Sequence, residues 1–257
     1  MNQQLRSTER FSDRVDDYVR YRPDYPVEML DWLHREQGVT PAWNVADVGA
    51  GTGISCKLFL DAGHDVTAVE PNAAMRDAAL AWLGGQSSFN AVEGTSDATH
   101  LPDASVDLVT VAQAFHWFDP ASTRHEFARI LRPGGLAAIF WNSRRLTGTH
   151  FLEGYEALLQ RYGTDYTSVA ERYADDDSMR AWFGAGWRGT ARFEHKQSLD
   201  FDALRGRLMS SSYAPKEGHP QHEPMIAALR ELFGHCQQDG HISFDYDTRV
   251  IVGTLQP

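Results

Sequence analysis

The chain has 257 residues, and its 35 acidic side chains against 24 lysines and arginines give it a formal net charge of −11 at pH 7. A chain this acidic is a poor candidate for binding nucleic acid or an anionic membrane through cationic side chains. Its 42% hydrophobic content is enough to fill a core, and its two cysteines, Cys56 and Cys236, are too few for a disulfide framework.

Apolar segments of the kind found in secreted and membrane proteins are missing from the sequence. Residues 1–10 are polar and charged, and no later stretch approaches the roughly 18 consecutive apolar residues of a membrane span. We therefore expect a cytoplasmic protein, a monomer or a homodimer, with neither membrane nor nucleic acid as a partner.

Residues 1–38 predict a helical cap at the start of a single domain that spans residues 1–257. The spacing from Phe11 to Tyr18 is helical, and Pro23 and Pro26 end that helix.

The middle of the chain, residues 39–142, alternates short apolar strands with helical patterns. The predicted strands are 45–48, 66–69, 89–92, 106–111 and 136–141, and the predicted helices between them are 54–62, 73–83 and 122–131. Strands separated by crossovers of this length form a parallel sheet with helices on both faces. The sequence therefore predicts a doubly wound α/β fold.

The last part, residues 143–257, predicts two more strands and a helical insert on the substrate side. Residues 242–252 alternate apolar and polar side chains, and residues 191–195 do so more weakly. Helical patterns cover residues 151–183, 199–208 and 225–233, so we expect a helical cap over a ligand.

A glycine-rich turn follows the first predicted strand. The segment Asp47-Val48-Gly49-Ala50-Gly51-Thr52-Gly53 stands where a doubly wound sheet binds its ligand, and glycine lets the backbone approach that ligand closely. A dinucleotide fingerprint needs Gly or Ala where this chain has Ile54 or Cys56, and the lysine of a Walker motif is absent from the turn. The turn thus favours neither a dinucleotide nor a nucleoside triphosphate.

This turn resembles the first motif of class I S-adenosylmethionine-dependent methyltransferases. The stretch Ala-Phe-His-Trp-Phe at residues 114–118 and the Arg-Pro-Gly-Gly at residues 132–135 are similar to the methyltransferase type 11 group and its trans-aconitate methyltransferase-like branch. The resemblance implies a mostly parallel seven-stranded sheet with an antiparallel strand near the C-terminus. It also implies S-adenosyl-L-methionine as the cofactor and S-adenosyl-L-homocysteine as its product.

The resemblance also implies the residues that bind this cofactor. Glu70, at the end of the second strand, would accept the ribose hydroxyls, and Asp97 with Ala98 would contact the adenine, although Thr99 stands where the family often has a second acid. The full predicted set is Tyr18, Arg22, Asp47, Gly49, Ala50, Gly51, Thr52, Gly53, Glu70, Pro71, Met75, Asp97, Ala98, Gln113 and Ala114.

The acceptor is expected beside the carboxyl end of the fourth strand, which faces the same crevice as the glycine turn. His116 is the candidate catalytic base for a hydroxyl acceptor, whereas a carboxylate acceptor needs no base and one of its groups would be held by Arg144 or Arg145. The predicted substrate-binding residues are His116, Trp117, Trp141, Asn142 and Arg144, and no metal site is predicted.

These observations predict a methyltransferase that acts on a small molecule, at a carboxylic acid or a hydroxyl oxygen. Two alternatives stay open. An NAD-dependent oxidoreductase shares the sheet, the acid and the crevice, and a non-catalytic module would bind the methyl donor or its product without turnover.

Overall fold

A computed structural model of the chain describes residues 21–166 and 176–255. The helix predicted around Phe11 and Tyr18 lies outside the described residues. The helices are α1 (Val27–Gln37), α2 (Ile54–Asp61), α3 (Ala73–Leu83), α4 (Pro120–Ile130), α5 (His150–Tyr162), α6 (Asp176–Phe183), α7 (Phe201–Met209) and α8 (His222–Cys236). The strands are β1 (Asn44–Val48), β2 (Asp65–Val69), β3 (Phe89–Val92), β4 (Val106–Ala112), β5 (Leu131–Arg144), β6 (Trp187–Leu199) and β7 (Ile242–Gly253).

All seven strands belong to one sheet with the order β3-β2-β1-β4-β5-β7-β6. The strands from β1 to β5 pair in parallel, and β7 runs antiparallel to both of its neighbours, β5 and β6. The predicted doubly wound, mostly parallel seven-stranded sheet with one antiparallel strand near the C-terminus is therefore confirmed.

Local sequence signals fix where the helices around the sheet begin. The Asn72 side chain accepts a hydrogen bond from the Met75 N–H at the start of α3, and Asp119 does the same for Ser122 at the start of α4. These caps satisfy backbone donors that the first helical turn leaves open. With Pro120 at its first position, α4 begins two residues before the predicted start at Ser122.

The two faces of the sheet bury separate apolar clusters. Phe140 and Val250 belong to the cluster on the α1 and α2 side, whereas Ile139 and Ile251 belong to the cluster beneath α4 and α6. A third cluster joins α5, α7 and α8 to the first half of β7 through side chains such as Phe244. The helical insert is thus packed beyond the carboxyl ends of the parallel strands, where it covers one side of the site described next.

No helix within residues 21–166 and 176–255 is both long enough and apolar enough to cross a membrane.

Candidate functional site

A cavity of about 360 Å³ lies at the carboxyl ends of β1, β4 and β5. Loops that follow parallel strands meet at this edge, which is where open α/β sheets bind ligands. Its volume is within the range of small-molecule sites. The predicted site residues that line it are Arg22, Gly49, Ala50, Gly51, Thr52, Gln113, His116, Trp117, Asn142 and Arg144.

Other predicted residues lie near the cavity or away from it, without lining it. They are Asp47, Gly53, Glu70, Pro71, Met75, Asp97, Ala98, Ala114 and Trp141. Tyr18 lies outside the described residues. The Trp141 ring is buried in the cluster beneath α4 and α6, on the opposite face of β5 from Asn142, with the Arg249 guanidinium 4.9 Å from its ring centroid.

The three glycines of the turn adopt the left-handed conformation, and each has its own reason to lack a side chain. A Cβ on Gly49 (φ +72°) would lie 2.8 Å from the Ala114 Cβ, and one on Gly53 (φ +88°) would lie 2.8 Å from the Leu83 Cδ1. A Cβ on Gly51 (φ +57°) would meet no atom of residues 21–166 and 176–255 within 4 Å beyond its two chain neighbours. Gly49 and Gly53 therefore permit close packing, whereas Gly51 leaves open space on the cavity wall.

Glu70 holds the middle of this turn in place. Its buried carboxylate accepts hydrogen bonds from the Gly51 N–H at 2.9 Å and the Asn72 N–H at 2.8 Å. Burial raises the pKa of this carboxyl, and the two backbone hydrogen bonds oppose that rise. A carboxylate has about four acceptor positions, so two hydrogen bonds leave capacity for a ligand.

Asp47 anchors the turn from inside the protein. Its carboxylate is fully buried and accepts hydrogen bonds from the Thr110 hydroxyl at 2.7 Å, from the Ser55 hydroxyl and from the Cys56 thiol. Burial raises the pKa of Asp47, against the effect of these hydrogen bonds. The acid that begins the motif thus ties β1 to β4 and to α2.

Thr52 lines the cavity, and its hydroxyl lacks a hydrogen-bond partner among the described residues. Its side chain is fully buried, and its hydroxyl has no hydrogen-bond partner among residues 21–166 and 176–255. Buried hydroxyls are normally paired, so this atom fits a polar group of a bound ligand.

Gln113, at the end of β4, is held in a left-handed conformation (φ +58°) that is uncommon for a residue with a side chain. Its N–H donates to the Phe140 carbonyl at 3.0 Å, and its Nε2 donates to the Asn142 carbonyl at 2.9 Å. Asn142 in turn donates to the Asp24 carbonyl at 2.8 Å and accepts from the Thr248 hydroxyl. These bonds fix the carboxyl ends of β4 and β5 to each other, and strain of this kind is typical of functional sites.

His116 and Trp117 enter the cavity wall from a single helical turn, Phe115–Trp117, that follows β4. Their ring centroids are 4.8 Å apart. Both residues therefore line the same cavity as the glycine turn.

The segment predicted to contact adenine is a turn closed between Thr95 and Ala98, with Asp97 exposed. Thr99 is fully buried, and both its N–H and its hydroxyl donate to Glu126. Thr99 therefore takes part in joining this segment to α4, and the adenine contact of Asp97 stays a prediction.

The arginines near the cavity have different surroundings. Arg144 pairs with Glu156 and donates to the Tyr166 hydroxyl at 2.8 Å, whereas Arg145 pairs at the surface with Asp247 and Glu194 and does not line the cavity. Both arginines predicted to hold a carboxylate thus already have an acidic partner.

Arg207 was missed by the sequence analysis. It lies on α7, is 6% exposed and lines the cavity. The only signal available was its position between Leu204 and Leu208, where the helical spacing places a cation on a buried face.

Among the described residues, no group of three or more His, Cys, Asp or Glu side chains is arranged to hold a metal ion.

A doubly wound sheet, a glycine turn beside the cavity and an acid at the end of β2 together define a nucleoside-binding α/β protein. A family model described as "Methyltransferase domain" matches residues 46–139. An uncharacterized methyltransferase of Mycobacterium tuberculosis is 44% identical over 134 residues, 52% of this chain and 52% of the relative. The chain therefore matches about half the length of this mycobacterial relative.

An uncharacterized methyltransferase of Mycolicibacterium gilvum is 34% identical over 172 residues, which are 60% of this chain and 67% of the relative. The solved structure of a putative type II methyltransferase from Anaeromyxobacter dehalogenans superposes with a TM-score of 0.69 at 23% identity, over 92% of this chain and 99% of that one. The chain belongs to the methyltransferase family.

Proposed function

We propose that the protein is an S-adenosylmethionine-dependent methyltransferase whose acceptor is a small molecule. The observation that carries this proposal is the part of the cavity wall formed by Gly51. This left-handed glycine leaves open space beside its backbone among the described residues, and its N–H donates to Glu70. Membership of the methyltransferase family supports it. When bound, S-adenosylmethionine supplies a methyl group on a positively charged sulfur, which keeps the bonding electron pair when the methyl leaves.

The residues present fit the nucleoside part of this cofactor. The bare backbone of Gly51 permits close approach, the Thr52 hydroxyl needs a partner, and Glu70 retains acceptor positions for the ribose hydroxyls. Arg22, Gln113 and the predicted Tyr18 would complete the wall around the cofactor.

The protein's main contribution to the reaction would be to align the acceptor and exclude water, which can contribute roughly 7–11 kcal/mol to lowering a barrier. An ionised carboxylate oxygen needs no base for this reaction. A hydroxyl acceptor would transfer its proton to His116, the imidazole that lines the cavity. Trp117 and Asn142 would hold the acceptor in either case.

The acidic charge of the chain supports a small-molecule partner over a nucleic acid. The two cysteines, too few for a disulfide framework, support a reducing compartment, and we propose a cytoplasmic protein that acts as a monomer or a homodimer.

Two alanine substitutions at left-handed glycines test the cofactor site. Gly51→Ala and Gly38→Ala each place a Cβ in open space at positive φ, so each should lower the unfolding free energy by about 1 kcal/mol. Only Gly51 lines the cavity. By titration calorimetry we expect Gly51→Ala to weaken S-adenosylhomocysteine binding at least about tenfold and Gly38→Ala to leave it within about twofold.

Equal affinities for the two variants would contradict the glycine-wall site. Binding of NADH, without binding of S-adenosylhomocysteine at about 1 mM, would favour the oxidoreductase instead.

A further inference from the structure

The charge of the cavity is opposite to the charge of the chain. Three arginines, Arg22, Arg144 and Arg207, are among the described residues that line it, and no aspartate or glutamate is. The whole chain carries a net charge of −11. An acidic protein that encloses cations in a small cavity concentrates positive potential there, and this favours an anionic ligand.

Arg207 is the cation with the least compensation. Arg144 has Glu156 as its partner, but no acid of the described residues lies within ion-pair distance of Arg207. Its Nε donates to the Tyr246 hydroxyl at 3.1 Å and its Nη1 to the Ser211 hydroxyl at 3.2 Å. Nη2 donates to no described residue, although a guanidinium carries five N–H donors.

The aromatic rings around Arg207 offset part of the cost of its burial. The guanidinium lies 5.5 Å from the Phe244 ring centroid and 5.9 Å from that of Tyr246, distances at which the ring faces attract a cation. A buried charge is nevertheless stable only when an opposite charge or full hydrogen bonding compensates it. The open Nη2 edge shows where the missing partner would bind.

Hydroxyl groups surround the same end of the cavity. Tyr166, Ser212 and Tyr213 line it together with Arg207. The nearby Tyr155 hydroxyl is buried and without a partner among the described residues, and burial raises its pKa while Arg207 and Arg144 oppose that rise. The Tyr155 hydroxyl therefore stays protonated at neutral pH. The Ser212 and Tyr213 hydroxyls line the cavity and can donate to an anionic oxygen, whereas the Tyr166 hydroxyl already donates to Glu156.

We propose that Arg207 binds an anionic oxygen group, a carboxylate or a phosphate, of the methyl acceptor. The inference rests on the proposed function, because it assigns the second substrate of the same site. A guanidinium binds such groups through two parallel N–H···O bonds, so Arg207 fixes orientation as well as charge. Arg207 is then a specificity-determining residue that selects acidic acceptors over neutral molecules of the same shape.

Matched acid and neutral probes test the proposal directly. Protein saturated with S-adenosylhomocysteine is titrated by calorimetry with succinate and succinamide, benzoate and benzamide, and phenyl phosphate and phenol. We expect at least one acid to bind, and its neutral counterpart to bind at least about tenfold more weakly. The carboxylates and the phosphate separate the two possible anions.

Arg207→Met and Arg205→Met are the matched variants, because Arg205 is exposed on the same helix. Arg207→Met should weaken binding of the acid at least about thirtyfold, with S-adenosylhomocysteine affinity within about twofold of the original protein, and Arg205→Met should change neither. Without acid, Arg207→Met should melt no lower than the original protein, since methionine replaces an uncompensated buried charge. Arg207→Lys, which keeps the charge, should retain part of the affinity for the acid and serves where Arg207→Met does not fold.

Binding of acids and neutral probes with equal affinity, binding of no acid, or undiminished binding by Arg207→Met would each overturn the proposal. A lower melting temperature of Arg207→Met with unchanged acid binding would assign Arg207 a purely structural role. Failure of S-adenosylhomocysteine to bind would instead overturn the proposed function, and titration of the acids into the protein alone would still decide the Arg207 site.

Discussion

A single carboxylate, that of Glu70, connects the backbone of the glycine turn to the proposed ribose site. The carboxylate accepts two backbone hydrogen bonds within the protein. The same carboxylate, at the end of β2, is the group proposed to bind the ribose hydroxyls. Its effects on folding and on binding are therefore inseparable, and both should change when the side chain is altered.

We expect Glu70→Gln to lower both the stability and the affinity for S-adenosylhomocysteine. A glutamine has one acceptor oxygen, so the Gly51 or the Asn72 N–H loses its partner, at a cost of about 1–3 kcal/mol. Loss of the proposed charge-assisted bonds to the ribose should weaken the affinity for S-adenosylhomocysteine at least about tenfold. Urea unfolding and calorimetry measure the two effects.

Asp61→Asn is the control for this substitution. Among the described residues, the Asp61 carboxylate is paired with Lys57 alone, on the exposed side of α2, so Asp61→Asn should alter stability by less than about 1 kcal/mol. An unchanged S-adenosylhomocysteine affinity in Glu70→Gln would exclude Glu70 from the ribose site.

The residues of the glycine turn were predictable from the sequence, because a tight turn after a buried strand requires left-handed backbone that glycine adopts most readily. That requirement is visible in a few consecutive residues. Arg207 was not predictable, because its proposed role depends on two features of the folded chain. No acid of the described residues pairs with it, and it lines the cavity from a position about 155 residues beyond the turn. Trp141 was assigned to the site although it faces away. Both faces of β5 are buried, so the apolar run gives no indication of which face each side chain takes.

At the scale of elements, Glu126 joins α4 to the segment that follows β3. It accepts hydrogen bonds from the N–H and the hydroxyl of Thr99 and is paired with Arg129 at 2.7 Å. Burial alone would raise the pKa of Glu126, but the hydrogen bonds from Arg129 and Thr99 outweigh it and lower the pKa to about 2.

The unfolding free energy should therefore depend on Glu126 below neutral pH. Because its pKa in the folded state is below the ordinary 4.5, its contribution is complete above that pH and is lost as the pH falls toward about 2. The loss is on the order of 3 kcal/mol. We expect Glu126→Gln to be less stable than the original protein at neutral pH and to lack this part of the acid dependence.

Urea unfolding at several pH values, followed by tryptophan fluorescence, tests this prediction. Glu93→Gln is the control, because Glu93 is 74% exposed and pairs loosely with Arg76. Parallel pH profiles for the original protein and Glu126→Gln would show that Glu126 does not contribute.

The lengths of β5 and β6 were harder to predict than their existence. β6 covers Trp187–Leu199, well beyond the predicted residues 191–195. β6 is an edge strand and exposes every second side chain, among them Arg188, Arg192 and Lys196. A segment with so many charged residues is easily taken for a loop when only the sequence is known. β5 begins at Leu131 rather than residue 136 because an irregular pairing near Val106 accommodates Pro133 and its glycines.

At the scale of the whole molecule, the two cysteines report on different parts of the fold. Cys56 is fully buried beside Asp47, and burial, together with that acid, raises its pKa well above the usual value. Cys236 lies partly exposed at the end of α8, with a pKa that burial raises.

We expect a thiol reagent to label Cys236 at least about 1000-fold faster than Cys56 in the folded protein, since Cys56 requires opening of the cofactor core. Urea should abolish the difference. S-adenosylhomocysteine should slow labelling of Cys56 alone, because a ligand stabilises the closed state by mass action. Mass spectrometry of single-cysteine variants measures both rates, and equal rates would mean that the core opens readily.

The position of β7 between β5 and β6 affects how the protein is made. β7 is the last in chain order of the seven described strands, and it connects β6 to the rest of the sheet through pairs from Trp187–Gly253 to Leu199–Ile242. While the nascent polypeptide emerges from the ribosome, the segment of β1 to β5 can assemble early, but β5 keeps an open edge and β6 has no partner until residues 242–253 are released. Completion of the sheet, and with it the wall that carries Arg207, therefore waits until residues 242–253 have left the ribosome.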